Sequence, residues 1–212
     1  MISAVITAGG SSSRFAGGNK LLCKINGVSV IETTVNKFLS LDFIDEIVVT
    51  ANVSIIIELE SMFKSAKVKI VEGGATRQES VFNGLKACTN CEYVLIHDGA
   101  RPFINPETIA KSIENAKKTK ATIVAVKTID TVKIADENGI VVSTPDRKTL
   151  WNAQTPQTFE YKLIYELHKK YQGCNYTDDS LLCEQEKIPV SITEGEYDNI
   201  KITTVADLKN IC

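Results

Sequence analysis

The sequence predicts an α/β fold: a Rossmann-like, doubly wound, mostly parallel sheet with an inserted β-hairpin arm. Three observations predict it. Short apolar runs rich in β-branched residues recur along the chain. Stretches with helical spacing of apolar residues lie between them. The alternation breaks once, where two short strand-like runs flank a turn signal,. Strands that alternate with helices pair in parallel, because each crossover helix returns the chain to the same end of the sheet.

The elements follow in order. Ser3–Thr7 is a first strand, and Val30, Thr34, Val35 and Phe38 then fall at helical spacing,. Glu46–Thr50 is a strand followed by a helix around Ile55–Phe63. Lys67–Val71 is a strand, with a helix after Arg77 through Val81 and Leu85. Tyr93–His97 is a buried strand, and Pro106–Lys117 is a helix with proline in its first turn,. Ala121–Val126 is a strand. Thr131–Ala135 and Ile140–Ser143 flank Asp136-Glu-Asn-Gly139 as the arm's hairpin,. Helices follow near Tyr161–Tyr171 and Asp178–Glu186, the second with Thr177 as its N-cap,. Pro189–Thr193 is a late strand and Val205–Ile211 a terminal helix. With no linker or repeat, residues 1–212 read as one domain, with the arm at about residues 129–155,.

Composition narrows the function classes. Hydrophobic residues make up 43% and charged residues 24%, so a chain of 212 residues buries a full core,. A formal net charge of -2 argues against a nucleic-acid binder held by bulk charge,. No run is long and apolar enough for a membrane span, and the N-terminus reads as a strand rather than a signal peptide. The six scattered cysteines read as reduced thiols of a cytoplasmic protein,. Cys88-Thr-Asn-Cys91 lacks the second ligand pair of a zinc ribbon and closes a helix instead of opening one, so it reads as incidental,. His97 and His168 are too few and too far apart in sequence to suggest a metal site.

Ligands of open α/β sheets bind beyond the carboxyl ends of the strands, so the loops there carry the chemistry. Ala8-Gly-Gly-Ser-Ser-Ser-Arg14 and Gly17-Gly-Asn-Lys20 combine close backbone approach with cations,. This loop is neither a Walker A nor a dinucleotide fingerprint, and Thr50-Ala-Asn52 lacks the acid that holds an NAD ribose,. Alone it fits a surface loop as well as a nucleotide site. Gly73-Gly-Ala-Thr-Arg-Gln-Glu-Ser80 is a second loop of the same kind. Its plain alternative is a turn with Thr76 as helix cap. His97-Asp-Gly-Ala-Arg-Pro102 follows a buried strand. Asp98 there suits Mg²⁺, a hard cation that prefers carboxylate, phosphate and water oxygens; the alternative is a structural Asp98–Arg101 pair. Asp130-Thr-Val-Lys133, Asp146-Arg147, Gln154-Thr-Pro-Gln157 and Asp198-Asn-Ile-Lys-Ile-Thr203 complete the set. Together they suggest phosphoryl chemistry, which needs positioning and charge cancellation more than covalent catalysis.

These motifs, in this order over nearly the whole chain, resemble the 2-C-methyl-D-erythritol 4-phosphate cytidylyltransferase family of the non-mevalonate isoprenoid pathway. The resemblance rests on Ala8-Gly-Gly…Arg14…Lys20, Gly73-Gly…Arg77…Ser80-Val81 and His97-Asp-Gly-Ala-Arg-Pro-Phe103. It continues through Asp130-Thr131, Asp146-Arg147, Gln154-Thr-Pro-Gln-Thr-Phe159, Thr177-Asp178 and Asn199-Ile-Lys-Ile-Thr-Thr204. It implies transfer of CMP from CTP to the 4-phosphate of methylerythritol, with release of pyrophosphate. By the same resemblance, Ala8, Gly9, Gly10, Ser12, Gly74, Arg77, Ser80 and Gly99 bind CTP. Arg14, Lys20, Asp98, Arg147 and Lys201 form the catalytic set, with Arg14 and Lys20 on the α-phosphate. Asp98 holds Mg²⁺ or another divalent cation. Arg101, Thr131, Arg147, Thr155 and Lys201 hold methylerythritol phosphate. The family's arm swaps across a homodimer, so Arg147 serves the other subunit. This sequence departs from the family pattern at Ser11-Ser-Ser13, at Asn19 before Lys20 where proline is usual, and at Gly99 where alanine is usual. Ribitol-5-phosphate cytidylyltransferases share the fold and most motifs; Asp146-Arg147 and Leu150-Trp151 look more like the methylerythritol enzymes. A nucleotide-binding module without catalysis is a further alternative, against which Arg14, Lys20, Asp98 and Lys201 together speak.

Overall fold

A computed structural model describes residues 1–10 and 19–209. Five parallel-strand units build the frame. β1 (Ile2–Ala8), β4 (Glu46–Ala51), β5 (Val68–Glu72), β6 (Tyr93–Asp98) and β7 (Ala121–Lys127) alternate with α1 (Val30–Leu39), α2 (Val53–Met62), α3 (Arg77–Ala87) and α4 (Pro106–Thr119). A small hairpin of β2 (Lys24–Ile25) and β3 (Val28–Ser29) precedes α1. The arm carries β8 (Ile134–Ala135) and β9 (Val141–Ser143), then a single 3-10 turn at Arg147–Thr149. β10 (Trp151–Glu160), α5 (Tyr161–Lys170), α6 (Ser180–Gln185), β11 (Ser191–Glu194) and α7 (Val205–Lys209) complete the chain.

The sheet has seven strands in the order β11-β7-β10-β6-β1-β4-β5. Only β10 runs antiparallel, between β6 and β7. The predicted mostly parallel, doubly wound sheet is therefore present. Residue alternation explains its two covered faces. Ala4 and Ile6 of β1 and Ile47 and Val49 of β4 join α1, α2 and α4 in one core, whereas Val5 and Val48 join α3, α5 and α6 in the other. That is the period of two expected of a strand buried on both sides.

Three expectations are corrected. The stretch 151–155, expected within the arm, belongs to β10, so the arm ends before Trp151. Polar residues hid this strand: Gln154, Thr155, Gln157 and Thr158 are all buried, but each finds hydrogen-bond partners. Pro156, preceded by a cis peptide bond, sits where the pairing register shifts between Ala153 and Gln157, which is where a sheet tolerates proline,. The arm's paired strands are shorter than expected. Finally, Thr177 is not the cap of α6; that position is Asp179, whose carboxylate is committed elsewhere. Asp178 supplies the cap bond, accepting from the Ser180 N–H at 2.9 Å.

Candidate active site

The carboxyl ends of β1, β4 and β6 and the loop after β5 open onto one cavity of about 430 Å³. Gly9, Gly10 and Lys20 line it from the first loop, and Gly74, Arg77 and Ser80 from the second. Asp98 stands at the end of β6, and Lys201 and Thr203 approach from the C-terminal segment.

The second loop has a local cause. Thr76-Arg-Gln-Glu79 is a capping pattern: Thr76 Oγ1 accepts from the Glu79 N–H at 3.1 Å, and Glu79 Oε2 accepts from the Ala75 N–H at 2.8 Å,. Ser80 Oγ accepts from the Gly74 N–H at 3.0 Å and donates to the Thr76 carbonyl at 2.9 Å. Gly74 is required here, since a Cβ would lie 2.2 Å from Glu79 Cβ,. The loop is thereby folded back over the start of α3, with Arg77 as its first helical residue.

Asp98 is the electrostatic centre. Its Oδ2 meets Lys201 Nζ at 2.9 Å and Arg101 Nε at 3.4 Å, and its Oδ1 lies 3.8 Å from Arg77 Nε. Burial alone would raise its pKa. Lys201, Arg77 and Arg101 outweigh that and hold the carboxyl well below the ordinary aspartate range,. Asp98 is thus an ionised carboxylate surrounded by more cationic charge than it neutralises. Arg101 is pushed down chiefly by burial, against the pull of Asp98.

The backbone behind Asp98 fixes this geometry. The Asp98 N–H donates to Thr155 Oγ1 at 3.0 Å, and Thr155 Oγ1 meets His97 Nδ1 at 3.0 Å. His97 Nε2 lies 3.1 Å from the Arg101 carbonyl, which can only accept, so Nε2 carries the hydrogen and Nδ1 accepts from Thr155,. Burial lowers the His97 pKa to about 4, so the ring is neutral at neutral pH. Lys201 is brought in by its neighbours. The Asn199 side chain donates to Gln154 Oε1 at 3.1 Å and to the Thr155 carbonyl at 2.9 Å, the Asn199 backbone carbonyl accepts from Arg101 Nη1 at 2.7 Å, and the Ile202 N–H donates to the Ala100 carbonyl at 2.9 Å.

A concave, cation-rich site between two glycine loops at the carboxyl edge suits a nucleoside triphosphate. The model of the 2-C-methyl-D-erythritol 4-phosphate cytidylyltransferase family matches residues 2–211. The chain belongs to that family. A cytidylyltransferase of this name from Clostridioides difficile is 44% identical, covering 98% of this chain and 91% of the relative. One from Caldanaerobacter subterraneus subsp. tengcongensis is 42% identical, with 98% and 95% covered. Among solved structures, a 4-diphosphocytidyl-2C-methyl-D-erythritol synthase from Anaerococcus prevotii superposes with a TM-score of 0.90 at 38% identity, covering 99% of this chain and 93% of that one.

The residues that the family resemblance nominated fall into four groups. Gly9, Gly10, Lys20, Gly74, Arg77, Ser80, Asp98 and Lys201 line the cavity together. Ala8, Gly99, Arg101 and Thr155 do not line it. Gly99 is packed so tightly that a Cβ would come within 2.9 Å of the Thr7 carbonyl oxygen, and Arg101 and Thr155 spend their polar atoms on Asp98, His97 and Asn199. Thr131 and Arg147 are exposed on the arm, where Arg147 Nη1 donates to the Ile129 carbonyl at 2.8 Å. Ser12 and Arg14 lie outside the described residues. Sequence reasoning missed Asn52, which lines the cavity at the end of β4 while capping α2. Its position after the second strand was the available signal.

Proposed function

We propose that this cytidylyltransferase family member transfers CMP from CTP to 2-C-methyl-D-erythritol 4-phosphate. An anionic oxygen of the 4-phosphate attacks the α-phosphorus of CTP, the bond to the β-phosphate breaks, and pyrophosphate leaves. Because the nucleophile is already an anion, the site needs charge cancellation and alignment rather than a general base. The observation that carries this reading is the convergence of Lys20, Arg77 and Lys201 with Asp98 on one cavity between the two glycine loops.

In this reading Gly9, Gly10, Ser12, Arg14 and Lys20 surround the triphosphate. Gly74, Arg77 and Ser80 face the nucleoside side, and Lys201 faces the methylerythritol phosphate. Arg101 and Thr155 act through Asp98, which they hold in place. Asp98 fits a divalent cation: it is an ionised carboxylate on the cavity wall. Among the described residues no cluster of three or more His, Cys, Asp or Glu is present, so substrate oxygens would supply the other ligands, as Mg²⁺ commonly accepts,. When bound, Mg²⁺ would neutralise phosphate charge.

We assign residues 1–212 to one nucleotidyltransferase domain that pairs through the arm as a homodimer, so that Thr131 and Arg147 serve the site of the other subunit. Support comes from apolar side chains exposed on the arm, among them Ile129, Ile134, Ile140, Val141 and Val142,. Among the described residues no helix is long and apolar enough to cross a membrane, and we read the protein as cytoplasmic.

Pyrophosphate release tests the reaction. Expected is turnover with CTP and methylerythritol phosphate, little with ATP or GTP, and little with ribitol 5-phosphate; comparable turnover with ribitol 5-phosphate or ATP overturns the assignment. The dimer is tested by mixing Arg147→Ala with Lys20→Ala, each inactive alone. One site of the mixed dimer then has both residues intact and activity partly returns. No recovery despite confirmed subunit exchange would place both residues in one chain's pocket.

A further inference from the structure

Arg77 stands in an electrostatically awkward place. It is the first residue of α3, where the helix dipole favours anions and disfavours a cation,. Something must hold it there. Asp98 is the looser of its two carboxylate partners, with Oδ1 3.8 Å from Arg77 Nε. The close partner is Asp179, whose Oδ2 accepts from Arg77 Nη2 at 2.7 Å. Asp179 is only 2% exposed, and its other oxygen accepts from His168 Nε2 at 3.2 Å. His168 is itself buried on α5, its ring stacked on Phe82 with centroids 6.2 Å apart.

The turn carrying Asp179 is also clamped. Gln157 Oε1 accepts from the N–H groups of Asp179 at 3.1 Å and Ser180 at 3.2 Å, while Gln157 Nε2 donates to Asp178 Oδ2 at 2.7 Å. A central sheet strand therefore sets the height of this carboxylate above the sheet. Arg77 still lines the cavity, and its buried Nη1 has no protein partner among the described residues. A planar fork locked at one nitrogen presents its remaining donors in a fixed direction.

We propose that Asp179, oriented by His168, is a positioning residue that aims the Arg77 guanidinium at the bound nucleotide. The inference rests on the reading of Arg77 as a CTP-binding residue. Neither Asp179 nor His168 lines the cavity of about 430 Å³; Asp179 reaches it through Arg77, and His168 through Asp179.

The test is steady-state kinetics with CTP and methylerythritol phosphate varied in turn. Asp179→Asn is expected to raise KM for CTP about tenfold or more, the scale of one charge-assisted hydrogen bond. KM for methylerythritol phosphate should stay within about twofold, on the same scale. His168→Phe, which keeps the ring stack but removes the donor, should shift KM for CTP in the same direction; His168→Gln, which keeps an N–H donor, should restore it. Combining Arg77→Ala with Asp179→Asn should be no worse than Arg77→Ala alone. If Arg77→Ala leaves CTP affinity unchanged, the reading of Arg77 fails and the positioning role falls with it. If Arg77→Ala weakens CTP binding but Asp179→Asn and His168→Phe do not, the positioning inference alone is overturned. A general structural role would raise both KM values together and would leave His168→Gln no better than His168→Phe. Should Asp179→Asn not fold, the two His168 variants decide.

Discussion

Glu46 and Asp98 are both buried carboxylates with lowered pKa values, on strands that flank β1 from either side, yet they mark opposite ends of the sheet. Glu46 opens β4 and Asp98 closes β6. Glu46 accepts from Ser3 Oγ at 2.9 Å, the Thr89 N–H at 3.0 Å, Thr89 Oγ1 at 2.6 Å and Lys69 Nζ at 2.6 Å. Hydroxyls, an amide and one partly exposed cation finish its shell, leaving nothing for a ligand. Among the described residues the Asp98 side chain meets cations alone, and two of them, Arg77 and Lys201, share the cavity wall with it. A closed polar shell is a structural device. A carboxylate outnumbered by cations, at the edge where parallel strands deliver their loops, is a site waiting for anions.

The largest expected effect breaks the cavity end of this comparison. Asp98→Asn should abolish Mg²⁺-dependent turnover while circular dichroism shows the fold retained, because an amide cannot supply the charge a hard divalent cation needs. A near-normal rate across a Mg²⁺ titration would mean that Asp98 only arranges its cations.

Lys20→Ala comes next. Charge grows on the α-phosphate oxygens and the departing pyrophosphate during attack, so a cation there binds the transition state more tightly than CTP. Losing one such donor typically costs about 10²–10³ in rate, and the loss should fall on kcat rather than KM. An unchanged kcat at saturating CTP would make Lys20 a residue of the cavity rim.

The parallel frame was legible because its strands are apolar and its helices keep their period. Ile47-Val-Val49 and Val94-Leu-Ile96 have no other use than a buried strand. β10 escaped because Gln154, Thr155, Gln157 and Thr158 read as loop chemistry; their burial depends on partners such as Asn199 and Ser112, far away in sequence. The cavity was legible wherever a glycine or charge directly followed a strand. The supporting layer was not. Nothing local to His168 or Asp179 announces a contact with Arg77, which lies 102 positions from Asp179 along the chain. Family resemblance nominated Arg101 and Thr155 for methylerythritol phosphate, whereas the contacts they make here, to Asp98, His97 and Asn199, come from positions that no local pattern links.

Glu46→Gln sharpens the other end, with the smallest effect. The amide replaces one oxygen by an NH₂ group; the hydroxyl on that side, Thr89 or Ser3, can turn to accept from it, but Lys69 Nζ or the Thr89 N–H can only donate, so one hydrogen bond is lost whichever way the side chain turns,. The expected cost is about 1–3 kcal/mol of stability with kcat unchanged. The pH dependence follows from linkage. Burial pushes the Glu46 pKa up, but Lys69, Thr89 and Ser3 outweigh it and leave it below the ordinary glutamate value. A depressed carboxyl stabilises the fold above its unfolded pKa, and that contribution fades as pH falls through the folded one. Wild type should therefore exceed Glu46→Gln in denaturant midpoint at neutral pH, and the gap should narrow as pH falls below the ordinary glutamate range,. A gap that stays constant with pH would mean that the loss is one of packing and not of charge. A fall in kcat at neutral pH would mean that the two ends of the sheet are coupled, and that Glu46 is not the closed structural group its shell describes.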